Sequence, residues 1–264
     1  MDIVQALVLA VIEGITEFLP ISSTGHMAIA SAFFKIEDKP FTKLFEVVIQ
    51  FGAILSVVVL YWNKFIELKN WKFYAKLIVA MIPALLFGAM LKSHIDAVLE
   101  KPLFISLVLL GGGFILLFVD KWFTNTQIED ESQMSYKNSL IIGLFQVLAV
   151  VFPGLSRSAA TIIGGMQQKL SRSLAAEFSF FLAVPTMCAA TVKSLYDIWK
   201  EQPEVLYGSG WEYLGLGSLV AFIVALLAIR FFIQFLKQNG FRMFGWYRIV
   251  VGSILILLIA TGNL

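Results

Sequence analysis

Between residues 13 and 26 the chain reads Glu13-Gly14-Ile15-Thr16-Glu17-Phe18-Leu19-Pro20-Ile21-Ser22-Ser23-Thr24-Gly25-His26, which sets two carboxylates, a row of hydroxyls and an imidazole inside an otherwise apolar run. A second polar cluster, Phe152-Pro153-Gly154-Leu155-Ser156-Arg157-Ser158, is introduced by Gln146. Glu13 and Glu17 are spaced i, i+4, so a helix places both carboxylates on one face. Mg²⁺ commonly takes one or two carboxylates together with substrate phosphate oxygens, and the pair therefore suits a divalent cation, Mg²⁺ or Ca²⁺. One of the two could instead accept a proton.

Ser22, Ser23 and Thr24 follow Pro20 and stand where a new helix must start. Such residues cap helices, and the helix start offers free N–H groups and a positive dipole end, which together attract anions. His26 lies three residues beyond Ser23, one turn along the same face, where an imidazole serves as base or phosphate ligand. Arg157 is the arginine expected deep in the apolar interior, and its permanent charge needs an anion. It could pair internally with Glu13 or Glu17, or grip a phosphate bidentately with Ser156 and Ser158 beside it. The two uses coexist if the ion pair yields to substrate. Glu46, Gln50 and Glu177, each near the start of a later apolar span, are weaker candidates to line the same site.

The elements that must position these residues follow from composition. Of 264 residues, 59% are hydrophobic and 14% charged, and the mean hydropathy is +0.83, which identifies a polytopic membrane protein. A net charge of +2 argues against nucleic acid as a partner. The single cysteine, Cys188, excludes a disulfide framework and a metal–thiolate site. Apolar runs near 44–62, 73–91, 103–119, 175–192, 213–235 and 244–261 are long enough to span a bilayer as helices. The stretches near 3–34 and 138–170 are broken at their centres by proline and small polar residues, which leaves halves too short to cross. Non-helical backbone at that depth must be buried in protein or line a wet cavity, so both are expected to be re-entrant hairpins.

The expected fold is thus all-α, with six transmembrane helices and two re-entrant hairpins in a single membrane domain, 1–264. Residues 1–119 and 138–264 form inverted-topology repeats, because an odd number of spans separates the hairpins. Sliding the chain by 133 residues lays Pro20 on Pro153, Ser23 on Ser156 and Glu13 on Gln146. Lys35, Lys39, Lys43, Lys92, Lys101, Lys193 and Lys200 fall on the face carrying both termini, and the remaining cations, Lys69 and Arg248 among them and Arg157 excepted, on the other. The positive-inside rule then puts both termini outside. Pro83 and Pro185 are expected to kink their helices, Gly111-Gly112-Gly113 to permit close helix contact, and the 120–138 loop, with Glu129-Asp130-Glu131, to be a solvated connection.

At EGITEFLPISSTGH (13–26), FEVVIQFGAI (45–54), PGLSRSAATIIGG (153–165) and EFSFFLAVP (177–185) the chain closely resembles the bacterial undecaprenyl-diphosphatase family, the membrane phosphatases linked to bacitracin resistance. One departure is visible, Ala159 where the family often has glycine. The resemblance implies hydrolysis of undecaprenyl diphosphate to undecaprenyl phosphate and inorganic phosphate, which recycles the lipid carrier of cell-wall synthesis. It also implies a bacterial inner-membrane location, dependence on a divalent cation and a site reached from the outer face. The family's functional residues carry over by motif onto Glu13, Glu17, Ser23, His26 and Arg157, with Ser156 and Ser158 beside it. On that reading Ser23 is the nucleophile with His26 as its base, Glu13 and Glu17 hold the cation, and Ser22, Thr24, Gln146, Ser156, Ser158 and Arg157 bind the substrate. Direct attack by water, with Glu17 or His26 as base, is the alternative chemistry. A polyprenyl-phosphate flippase or anion transporter using the same phosphate site is the alternative function. The expected partners are the polyprenyl diphosphate and membrane lipids, with a homodimer left open.

Overall fold

The computed structural model describes residues 1–67, 70–99, 101–207 and 210–262. Lys69, counted above among the cations of one face, lies outside the described residues, as do the last two residues of the second repeat. The described chain is almost wholly helical, and six helices are long and apolar enough to cross a membrane. They are α3 (Pro40–Leu60), α5 (Trp71–Met90), α7 (Pro102–Trp122), α10 (Arg172–Glu201), α12 (Trp211–Asn239) and α13 (Arg242–Ala260). Short helices connect them: α4 (Trp62–Ile66), α6 (Lys92–Leu99) and α11 (Pro203–Tyr207). All six spans overlap the apolar runs expected from the sequence, and α10 extends past its run at both ends.

The two broken stretches are each a pair of shorter helices. In the first, α1 (Ile3–Thr16) and α2 (Ser23–Phe33) flank a turn; in the second, α8 (Tyr136–Val151) and α9 (Arg157–Gln167) do so. Their outer ends are closed by local chemistry: Asp2 with Gln5, and Ser135 with Asn138, form reciprocal capping boxes at the starts of α1 and α8. The inner starts are unusual. Ser22, before α2, has φ +72° and ψ +95°, and Ser156, before α9, has φ +75° and ψ +119°. An L residue pays about 1–3 kcal/mol for such a backbone. Both serines nevertheless cap, Ser22 accepting from the Gly25 N–H and Ser156 from the Ala159 N–H. Ala159 is an ordinary early helical residue, which accommodates a Cβ where the family often has none.

These paired caps shift the correspondence between the halves by one residue. Ser22, not Ser23, occupies the backbone position of Ser156, and Ser23 stands where Arg157 does.

Packing exchanges elements between the halves. The α1 helix lies against α2 and α12, while α8 lies against α9 and α5. The α7 and α13 helices pack together, as do α3 and α10. Large apolar side chains such as Leu86, Leu107, Phe114, Leu227 and Leu257 remain exposed on the outside, as a lipid-facing surface requires. The 120–138 loop is largely the solvated connection expected, with Glu131 and Met134 as buried exceptions. Ile128 pairs with Leu170 in a parallel bridge, and Glu131 is buried, with an ion pair to Lys64 at 2.7 Å and a hydrogen bond from Asn70 at 3.1 Å. Lys76 donates to the Glu131 carbonyl at 2.6 Å. An interior anion between two lysines is invisible in a run of three acidic residues.

The strained cap makes an asymmetric prediction. Ser22→Ala loses the cap and keeps the strain, so it should cost about 1 kcal/mol or more. Ser22→Gly loses the cap but relieves the positive φ, so its stability should match or exceed wild type. Thermal unfolding of both variants in detergent checks the order; a glycine variant less stable than the alanine one contradicts it.

Candidate active site

The break of the first pair carries Glu17 at the end of α1 and Ser23 at the start of α2. The intervening turn folds one back onto the other, so that Ser23 Oγ donates to Glu17 Oε2 at 2.7 Å. The other carboxylate oxygen, Oε1, is held by Arg157 Nη2 from the second break at 3.1 Å. Arg157 Nη1 donates to the Ser179 carbonyl on α10 at 3.1 Å. Glu17 therefore links a hydroxyl from one break to a guanidinium from the other. Of the readings open to Arg157, the internal ion pair is present, and it is made with Glu17.

The second break is tied to the first through main chain. Ser158 Oγ donates to the Leu19 carbonyl at 2.8 Å, and Ser156 Oγ lies 2.9 Å from Ser158 Oγ and 3.5 Å from the same carbonyl. Ser158 is wholly buried and lies behind the site as a strut, whereas Ser156 reaches the cavity. Thr161 binds Ser179 at 2.6 Å and braces the strand of contacts on which Arg157 rests.

His26 faces elsewhere than Ser23. Its Nδ1 donates to the Ser22 carbonyl at 2.8 Å, because a carbonyl can only accept. In the neutral ring Nε2 then accepts from the Tyr247 hydroxyl at 2.7 Å, and the two rings stack. Both nitrogens are thus engaged away from the serine expected to be its partner. The helical spacing that places His26 one turn after Ser23 says nothing about which way the ring turns.

A cavity of about 510 Å³ opens onto this cluster. Glu17, Ser22, Ser23 and Thr24 from the first break line it, together with Gly154, Ser156 and Arg157 from the second. Gln50 and Gln146 border the same space; Gln146 is buried, and its Oε1 has no hydrogen-bond partner. The walls are Ala84, Leu85, Gly88, Val150 and Ala190, apolar and mostly small. The far end carries Lys92 and Lys193, both bound to Asp197, at 3.0 and 2.8 Å. Glu46 sits apart from the lining, receiving Ser31 Oγ at 2.6 Å, and Glu177 does not line the cavity.

Glu13 is buried beside Glu17, one turn earlier on α1, and its Oε1 has no hydrogen-bond partner. Among the described residues no three His, Cys, Asp or Glu side chains group tightly enough to enclose a metal. Both Glu17 oxygens are engaged, by Ser23 and Arg157, and Glu13 does not line the cavity, so Glu13 Oε1 is the unpaired carboxylate oxygen of the two that a cation could take.

Sequence reasoning missed Arg248. It was counted among the cations of one membrane face, yet its side chain is completely buried and reaches both breaks. Arg157 is therefore not the lone interior arginine. Nothing in the sequence separates Arg248 from the ordinary charges near span ends. Tyr247 was missed for the same reason: a tyrosine near the end of a span reads as an interfacial residue.

Residues 6–254 match the family described as Bacitracin resistance protein BacA. The chain belongs to this family. An undecaprenyl-diphosphatase of Flavobacterium johnsoniae is 58% identical over 259 residues, covering 98% of this chain and 96% of the relative. Proteins of the same name from Porphyromonas gingivalis and Bdellovibrio bacteriovorus are each 47% identical, and each alignment covers at least 98% of both chains. The BacA match takes in both breaks and all or part of each of the six long helices.

The Glu17–Arg157 pair predicts a non-additive cycle. Glu17→Gln or Arg157→Gln alone leaves one buried charge without its counterion, a cost of about 3 kcal/mol. The double variant removes both charges and should lose clearly less stability than the sum of the single losses. Melting curves of the three proteins in detergent measure this; additive losses would show that the pair is not coupled.

Proposed function

We propose that the protein hydrolyses undecaprenyl diphosphate to undecaprenyl phosphate and inorganic phosphate, and that the cavity between the two broken helix pairs is its active site. The observation that carries this reading is the convergence of Ser23 and Arg157 on Glu17 at the floor of an apolar-walled cavity. A hydroxyl, a carboxylate and a guanidinium in contact are the parts that phosphoryl transfer asks for, namely a nucleophile, its proton acceptor and a clamp for the transferred charge. The enzyme name borne by the relatives favours hydrolysis over the transport reading.

The polyprenyl tail lies along the small apolar residues of α5, α8 and α10, and the diphosphate reaches the floor. Arg157 and the amides at the starts of α2 and α9 hold the phosphate oxygens, with Ser22, Thr24, Ser156 and Gln146 lining the pocket around them. Ser23 Oγ attacks the terminal phosphorus, the bond from that phosphorus to the bridging oxygen breaks, and undecaprenyl phosphate leaves. The Ser23 proton passes to Glu17, already its hydrogen-bond partner. Water then attacks the phosphoserine phosphorus, the bond to Ser23 Oγ breaks, Glu17 returns the proton to that oxygen, and inorganic phosphate, keeping the water's protons, leaves. His26 holds the Ser22 carbonyl and with it the turn that presents Ser23, and Ser158 ties the second break to the first.

Glu13 and Glu17 would hold a divalent cation, Mg²⁺ or Ca²⁺, whose contribution is to neutralise charge on the diphosphate. The two halves are read as inverted repeats with re-entrant hairpins. The exchange of α1 onto α12 and α8 onto α5 supports that reading. The protein resides in the bacterial inner membrane with its termini and the Lys92–Lys193 end of the cavity on the outer side. Membrane lipids surround it.

Phosphate release from a polyprenyl diphosphate by the purified protein in detergent tests the activity; no release with cation present overturns it. Detergent abolishes vectorial transport and spares hydrolysis, so the same assay separates the two functions. Ser23→Ala should be nearly inactive, because the acceptor of the phosphoryl group is gone. A folded Ser23→Ala protein that keeps a tenth or more of the wild-type rate would falsify the nucleophile role. Glu13→Gln should need a higher free cation concentration for half-maximal rate, since a neutral amide binds Mg²⁺ poorly. An unchanged activation curve removes Glu13 from the metal site.

A further inference from the structure

We propose that Arg248 is a positioning residue for this reaction: its guanidinium fixes the spacing of the two breaks at which Ser23, Glu17 and Arg157 meet. The inference rests on the active-site reading above.

Arg248 lies on α13 and is fully enclosed. Its Nε donates to the Leu109 carbonyl at 3.1 Å and Nη2 to that of Val108 at 3.4 Å, both on α7. Nη1 donates to Pro20 at 3.2 Å and to Leu155 at 2.7 Å, and Nη2 donates to Gly154 at 3.0 Å. A guanidinium has five N–H donors in a rigid plane, and here five main-chain carbonyls from three chain segments surround it. Pro20 belongs to the first break, and Gly154 and Leu155 belong to the second.

The position of these acceptors decides what the contact controls. Pro20 stands midway between Glu17 and Ser23, and Leu155 stands two residues before Arg157. A single planar group therefore holds both turns from behind, while the reacting side chains project from their ends. Arg248 does not line the cavity, so it acts through the backbone and not on substrate. Among the described residues it forms no ion pair with a carboxylate. Burying a cation against carbonyl dipoles alone is costly, and an apolar side chain would fill the same space without that cost. The arrangement answers a need for carbonyl partners at two breaks.

The neighbouring α7 helix is cut to fit. A Cβ at Gly112 would collide with Arg248 Nη2 and come within 2.8 Å of Cζ. At Gly111 a Cβ meets open space, and at Gly113 it meets the Gly245 carbonyl and Ile249, both at 2.9 Å, and the base of the Arg248 side chain, its Cβ, at 3.0 Å, but not the guanidinium. The same substitution at three consecutive positions thus pushes on nothing, on the guanidinium, or chiefly on the α7–α13 packing.

The experiment compares Gly111→Ala, Gly112→Ala, Gly113→Ala and Arg248→Lys in the purified full chain. For each, kcat and KM on a polyprenyl diphosphate and the melting temperature are measured. Spin labels on cysteines introduced at the exposed Phe33 and Gln167, the ends of α2 and α9, report the distance between the two breaks' helices, with Cys188 replaced. The expected result is a kcat loss of about tenfold or more in Gly112→Ala and Arg248→Lys, as a displaced reacting group produces. KM should change little, and the label distance should broaden or shift in those two variants. Gly111→Ala should match wild type, and Gly113→Ala should lose melting temperature with a smaller effect on kcat and on the label distance.

Wild-type-like label distances in both Gly112→Ala and Arg248→Lys overturn the proposal, as does retention of half or more of the kcat in both. A kcat loss in Gly112→Ala no greater than in a Gly113→Ala protein of equal or lower melting temperature also overturns it, because packing alone then explains the loss. If the wild type releases no phosphate, the active-site reading fails, and the distance measurement still decides whether Arg248 sets the spacing.

Discussion

Two helices are interrupted inside an apolar molecule, and every backbone N–H and C=O exposed by the interruptions must find a partner where water is scarce. The rest of the structure follows from how that demand is met. Ser22 and Ser156 fold back to cap the helices that follow them, at the expense of backbone angles that serine normally avoids. Ser156 and Ser158 turn to the Leu19 carbonyl, while Arg248 takes those of Pro20, Gly154 and Leu155. Gly154, at φ +99°, allows the second turn to press within reach of Ile105 on α7. Each break is satisfied largely by groups belonging to the other break or to helices that touch both. Neither can move independently, and a rigid pair of turns is what a site for phosphoryl transfer needs.

The same demand explains the electrostatics of the cavity. Arg157 brings a permanent positive charge to a place where the carboxylates Glu13 and Glu17 already lie, and Glu17 neutralises it before substrate arrives. A phosphate that binds Arg157 competes with a carboxylate, so binding exchanges one anion for another instead of creating a new buried charge. That exchange frees a Glu17 oxygen while Ser23 stays bound to the other. Glu13, buried beside Glu17, keeps one carboxylate oxygen without a hydrogen-bond partner.

Much of this was legible in the residues. The six spans follow from uninterrupted apolar runs, and the breaks follow from Pro20 and Pro153, which no helix at that depth tolerates without compensation. The polar clusters at those breaks were recognisable because carboxylates, hydroxyls and an arginine have no cheap place in a bilayer. The pairings within the cluster were not legible. Ser23 and His26 are helical neighbours, so sequence spacing joins them, yet the six-residue turn from Glu17 to Ser22 brings Glu17 closer in space and turns the imidazole toward Tyr247. Arg248 was hidden for a different reason. A single arginine near the end of an apolar span has the same local pattern whether it snorkels to the interface or points inward, and only the approach of α7 and both breaks distinguishes the two. Glu131 shows the converse: it sits in a charged stretch that looks solvated, and its burial comes from Lys64 and Lys76 on distant elements.

The one-residue shift between the halves bears on why the site works with two near-equivalent breaks. Ser22 and Ser156 share a backbone position, so Ser23 and Arg157 are both the first residue of a half-helix. Each stands where free amides and the positive dipole end favour an anion. Two such starts converging on one space form a field of a single sign, suited to a diphosphate but without chemical direction. In the proposed reaction, direction comes from the side chains at the shared position: one half supplies a hydroxyl to attack, and the other supplies a guanidinium that can only hold. Glu17 touches both, so the asymmetry is registered by one carboxylate. If the two positions carried the same residue type, the proposed reaction would have no group distinguished as acceptor of the phosphoryl unit.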